Sequence, residues 1–167
     1  MKHLYRTTLP VFFLFLCSFA LQANHDTKPT EDVFKKISKD IFKVLKNKDF
    51  KILDKLTPDR AILEEVMKQM PERDKEPWKH YTYKELEKTI NNAIKKQVKR
   101  LHDESKINSA DFSKIRFIRH GRPSLKKEKG FEQAEGNITI SNSGSIMNIK
   151  YHLVKYKSKW YLMRIWY

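Results

Sequence analysis

The sequence predicts an α+β fold in which N-terminal helices pack on one side of an antiparallel sheet built by the C-terminal half. Three observations lead there. Apolar residues recur at helical spacing through the first part of the chain. After Asn108-Ser109 the spacing changes to the alternation of a strand. The later runs are separated by short polar turns, as in a meander of neighbouring strands. A chain that places its helices first and its strands second segregates them into two layers.

Each element has its own signal. A first helix is expected from about Thr30, which can cap it, with Glu31 and Asp32 complementing the positive end of the dipole. Val33, Ile37, Ile41, Val44 and Leu45 form its apolar stripe, widened by Phe34 and Phe42. Asn47-Lys48-Asp49 reads as a turn, and Phe50, Ile52, Leu53 and Leu56 as a short apolar segment. Thr57-Pro58-Asp59 starts a second helix, with Thr as the cap and Pro in the first helical position, where no N–H is needed. Ile62, Leu63, Val66, Met67 and Met70 are its buried face, and Pro71 ends it. Residues 71–77 read as a charged loop, and 78–83 as a short aromatic strand or packed loop.

Thr82 and Glu85 form a capping box for a long helix reaching about Glu104. Leu86, Ile90, Ala93, Ile94, Val98 and Leu101 share one face of it, and Lys84, Lys88, Lys95 and Lys99 the opposite one, flanked by Lys96 and Arg100. Strands are expected over 115–119, 131–140, 146–156 and 160–167. Ile138 and Ile140 share a side, as do Met147, Ile149, Tyr151 and Leu153; turns fall at 141–144 and 157–159.

The start of the chain reads as an export signal over residues 1–23. Lys2, His3 and Arg6 precede the uncharged run 9–16, and the small residues Ser18, Ala20 and Ala23 follow, with cleavage expected after Ala23 and Ala20 as second choice. The run falls short of the roughly 20 apolar residues of a membrane span. No transmembrane span is therefore expected after signal removal, and the protein is expected to be periplasmic or secreted. Cys17 is the single cysteine. It follows Leu16, where a lipoprotein signal carries Gly, Ala or Ser, so lipid anchoring at Cys17 is the second reading. Cleavage after Ala23 leaves no thiol for a disulfide, a nucleophile or a metal. Residues 24–30 read as a disordered leader and 31–167 as a single domain.

The 167-residue chain carries a formal charge of +15; Lys2 and Arg6 belong to the signal, leaving +13 on the remainder. Such an excess attracts anions. An exported protein seldom meets nucleic acid, so none is expected as a partner, and solvation of exposed faces is the simplest account of the charge.

The segment 45–50 (Leu-Lys-Asn-Lys-Asp-Phe), with Leu53 and 56–58 (Leu-Thr-Pro), is similar to the opening of the nuclear-transport-factor-2-like superfamily, the cystatin-related cones. A long helix before the sheet resembles that family too. So does the end, 151–156 (Tyr-His-Leu-Val-Lys-Tyr) running to Trp160-Tyr161-Leu162. The resemblance spans 31–167 and departs in the large charged loop before the long helix. It implies a curved sheet wrapped around a helix, with a pocket inside the cone. Members include isomerases, dehydratases and binding modules, so the fold does not decide the chemistry.

Among chemical motifs, 117–123 (Phe-Ile-Arg-His-Gly-Arg-Pro) is similar to the Arg-His-Gly signature of histidine phosphatases, where His takes the phosphoryl group and Arg binds its oxygens. That family places the motif after its first strand and before a large α/β body. Here strands alone follow, so the string reads as a basic strand ending in a glycine turn. The histidines are scattered, without a His-Glu-x-x-His pattern, and no metal site or cofactor is expected. No acid follows Glu135, which leaves His152 as the one general base in the last hairpin; a core or surface role for it is the simpler reading. Asn137-Ile138-Thr139 matches a glycosylation acceptor. Tyr81, Tyr83, Trp160 and Trp166 read as core.

No catalytic residue is therefore assigned. The first expectation is an exported, non-catalytic binding domain for a protein partner or small ligand. The second is a basic module docking on an anionic envelope surface, phospholipid or polysaccharide. The third is a pocket enzyme of isomerase or hydrolase type near His120 or His152. The candidate ligand-binding residues are Lys84, Lys88, Lys95, Lys99, Arg116, Arg119 and Arg122, joined by Lys126, Lys127 and Lys129 if they converge in space.

Overall fold

Among the described residues the first half of the chain forms five α-helices and the second half five strands. A computed structural model describes residues 31–107, 111–128, 131–142 and 144–167. The expected signal with Cys17, the leader with its Thr30 cap, Asn108-Ser109, Lys129 and Ser143 lie outside the described residues. The helices are α1 (Glu31–Asn47), α2 (Phe50–Leu56), α3 (Arg60–Gln69), α4 (Glu72–Lys75) and α5 (Tyr83–Ile107). The strands are β1 (Arg116–His120), β2 (Ser124–Glu128), β3 (Phe131–Asn142), β4 (Ser145–Tyr156) and β5 (Lys159–Trp166). The helices pack on the antiparallel sheet, whose order is β1-β3-β4-β5. β2 continues the line of β1, also paired with β3: β1 takes residues 138–141 of β3 and β2 takes 131–135.

Local details differ from the sequence reading for identifiable reasons. Val33 is exposed, and the stripe of α1 is Phe34, Ile37, Ser38, Ile41, Val44 and Leu45, because Val33 sits in the first turn at the margin of the arc. Ala93 likewise falls outside the buried arc of α5 and is exposed. Asp59, not Thr57, caps α3, accepting from the Ile62 N–H at 2.9 Å. Thr57 instead closes α2, and its hydroxyl reaches Asn91 Oδ1 of α5 at 2.8 Å. The charged stretch 71–77 is not a loop. It forms α4 and a 3₁₀ turn, Glu76–Trp78, because opposite charges stand three apart, as in Glu72–Lys75 at 2.7 Å. That turn also excludes a strand over 78–83. The capping box is present: Thr82 N–H meets Glu85 Oε2 at 2.8 Å and Glu85 N–H meets Thr82 Oγ1 at 3.3 Å. β2 had no apolar alternation to announce it, since it is an edge strand held by backbone pairing.

The core lies where α1 crosses the sheet. Successive turns of α1 cross the sheet from β5 towards β1: Phe34 packs on Trp160 of β5 (centroids 5.3 Å apart), Ser38 meets Tyr151 of β4 (hydroxyls 3.0 Å apart), and Phe42 packs on Phe117 of β1 (5.5 Å). The side chains of Ala134, Ile138, Ile140, Ile149, Tyr151, Leu153, Leu162 and Ile165 all point to this helix-covered face and are buried. Tyr151 is fully buried, and its ring lies over Gly136 of β3; a Cβ at Gly136 would overlap that ring. A bulky phenol and a missing side chain are thus one packing unit across the β3–β4 ladder.

The opposite face is closed only at one end. There Phe131, Val154 and Tyr161 are buried. The charges of Asp59 and Asp74, at the two ends of the α3–α4 segment, are felt by Tyr161 and His152. With α3 also against β4, this segment covers that end and leaves the rest of the face open.

Candidate anion-binding face

The open part of the sheet is a grid whose composition follows from the register. Side chains on one face recur every second residue and stand about 4.8 Å from those on the next strand. The first row is Arg116, Ser141 and Ile146; the second is Arg119, Thr139 and Asn148. The third is Asn137, Lys150 and Trp166, with Gly121 N–H donating to the Asn137 carbonyl at 2.9 Å. The fourth is Ser124, Glu135, His152 and Arg164. Arg116, Arg119, Arg122, Lys150 and Arg164 are exposed, and Lys126 extends the array along β2. Glu135 is the acid among them, and none of these cations takes part in an ion pair within the described residues.

The break between β1 and β2 shapes the middle of this face. Pro123 has no N–H to offer the ladder, so pairing stops and resumes at Ser124. Gly121 allows the Asn137 side chain to lie against the backbone of the break, since a Cβ there would strike its amide. Arg122 then borders an open cleft of about 220 Å³, together with Ser124, Glu135, Asn137, Lys150 and Trp166. Trp166, expected in the core, is only half-buried, and the Arg164 guanidinium lies 5.3 Å from its ring centroid. Trp160 is in the core as expected, whereas Tyr81 is exposed.

Of the sequence-derived candidates, Arg116, Arg119 and Arg122 come together here. Lys84, Lys88, Lys95 and Lys99 do not join them. They ride on α5, which packs on β5, the edge opposite β1. Lys95 is moreover engaged by α2, 3.3 Å from Asp54 and over the Phe50 ring. Lys150, Arg164 and Glu135 went unnoticed as site residues, and Trp166 was assigned to the core. The polar alternation 148, 150, 152 of β4 was the available signal for Lys150.

The Arg-His-Gly string is taken apart by the same geometry. Arg119 stands opposite Thr139 on the open face, while His120 stands opposite Ile138 on the helix-covered face. A nucleophilic His and its anion clamp cannot share a substrate across a sheet. His152 borders the open face, half-buried, with Nε2 at 3.0 Å from Gln133 Oε1. Burial holds its imidazole below the usual histidine value; Glu135 opposes this and Arg164 adds to it. The unfolded chain therefore takes up a proton more readily than the folded one. Stability is present above about pH 6.5 and lost as the pH falls below it. His152→Gln is expected to remove this acid-side slope, read from urea midpoints between about pH 5 and 7. An unchanged slope would place the titration elsewhere.

Among the described residues no three His, Cys, Asp or Glu side chains cluster as metal ligands, and no helix is long and apolar enough to cross a membrane. No family model, curated protein or solved structure matches the chain.

Proposed function

We propose that this protein is an exported, non-catalytic binding domain that docks through its open sheet face on an anionic phospholipid surface. The observation that carries the reading is the uncovered grid of Arg116, Arg119, Arg122, Lys150 and Arg164, with Glu135 as an acid among them and, among the described residues, without ion pairs of its own. Like charges left together and unneutralised repel one another, and a polyanionic partner removes that cost. Lipid is favoured over a polysaccharide by what stands beside the charges. Ile146, 70% exposed, shares a row with Arg116, and Ile118 on β1 is 47% exposed. Cations with apolar neighbours suit a headgroup layer above hydrocarbon. Export rests on the signal read at residues 1–23. The nuclear-transport-factor-2-like cone is proposed as the finer fold, supported by the α1–α2 opening, the long α5 before the sheet and the β4–β5 hairpin. In this reading Tyr151 takes up space that the family leaves for a pocket.

Cosedimentation with phosphatidylglycerol-containing vesicles tests the docking. Binding is expected to fall steeply between 0.05 and 0.5 M salt as the screening length shortens from about 14 Å to about 4 Å. Ile146→Gln is expected to weaken vesicle binding several-fold while leaving binding to an acidic polysaccharide such as heparin unchanged. Binding to heparin without binding to vesicles would replace the lipid reading with a polymer one.

A further inference from the structure

The cleft in the middle of the face is not uniformly basic. Arg122 and Lys150 stand on either side of Asn137, and their long side chains bracket the cleft. Guanidinium and ammonium together suit a phosphate, the first as a planar fork and the second as a point charge. Ser124 adds a hydroxyl to the same lining. Glu135 lies two residues before Asn137 on the same side of β3, about 6.8 Å away along the strand. It is exposed, forms no ion pair among the described residues and borders the cleft. A simple anion in this cleft would be attracted by Arg122 and Lys150 and repelled by Glu135. A ligand that carries its own cation one short link from its phosphate would satisfy all three. The volume of about 220 Å³ suits a headgroup and is small for a larger ligand.

We propose that this cleft is a subsite for an aminophosphate, the ethanolamine phosphate headgroup of a phospholipid, with the phosphate between Arg122 and Lys150 and the ammonium at Glu135. The inference rests on the docking reading and narrows it: the wider grid supplies attraction to any anionic leaflet, and the cleft supplies preference for one headgroup. Trp166 forms one wall and reports occupancy.

The test uses two soluble phosphodiesters that differ in the amine, glycerophosphoethanolamine and glycerophosphoglycerol, titrated into the isotope-labelled chain. The Trp166 indole resonance, assigned with Trp166→Phe, is followed. The ethanolamine compound is expected to bind about threefold tighter, the worth of one exposed ion pair. Glu135→Gln is expected to equalise the two compounds, and Arg122→Gln to weaken both. Equal or weaker binding of the ethanolamine compound to the unaltered chain, or an indole unmoved by either, overturns the subsite. Phosphatidylglycerol vesicles without ethanolamine lipid separate this result from the broader reading. Binding to them without headgroup preference removes the subsite and keeps the docking. A Trp166 response to the ethanolamine compound without any vesicle binding removes the docking and keeps the subsite.

Discussion

Gly136→Ala is expected to destabilise the fold by about 1–3 kcal/mol, and Gly136→Val by more, in chemical denaturation. The sign is what makes the result informative. Glycine inside a strand ordinarily costs about 0.5–1 kcal/mol relative to alanine, so the same substitution at an uncrowded strand position should stabilise. Here the new Cβ would overlap the Tyr151 ring. That ring is sealed between β3 and α1 and ends on Ser38, 3.0 Å away. A close-packed interior offers it no second position without displacing α1. Tyr151→Leu should be destabilising by itself, yet it should make Gly136→Ala far milder, because the overlapping atoms are gone. Coupling of this kind is expected of residues in contact and not of distant ones. An alanine variant as stable as the parent would mean that Tyr151 is not seated over Gly136.

Replacing Arg116, Arg119, Arg122 and Lys150 together with glutamine is expected to weaken binding to phosphatidylglycerol vesicles by roughly a thousandfold. A basic side chain near an anionic membrane contributes about 1 kcal/mol, and four of them therefore about three decades in affinity. All four side chains are exposed, so the fold should tolerate the change. The matching control replaces Lys84, Lys88, Lys96 and Lys99 on α5, which removes the same charge from the helix beside the far edge of the sheet. Its loss should be at least tenfold smaller, since attraction fades within about a Debye length of the membrane. Equal losses from the two sets would show that net charge matters and the sheet face does not.

The helical half was legible because its information is local. The Thr82–Glu85 box and the Leu86-to-Leu101 stripe depend on residues three and four apart, which any reader of the chain can see. The cap of α3 escaped the local pattern: Thr57, read as the cap, turns its hydroxyl to Asn91 on α5, and Asp59 accepts from the Ile62 N–H in its place. β2 was invisible for the opposite reason. Ser-Leu-Lys-Lys-Glu has no pattern of its own and becomes a strand by pairing with residues 131–135.

The functional face follows the same division. Sequence alone supplied the layer order, the strand alternation and the excess of positive charge, because periodicity and composition are properties of the chain. It also supplied Arg116, Arg119 and Arg122 as neighbours, because they lie within one short segment. Only the folded sheet decided that Lys150 and Arg164 complete that array, that Glu135 enters the cleft, and that the α5 lysines are left out of it. Register is the physical reason: a slip of one residue along β3 would send Glu135, Asn137 and Thr139 to the other face and break the rows they make with the neighbouring strands. That choice is made by long-range fit, with Tyr151 over Gly136 and α1 across the strands, which no local window of sequence contains.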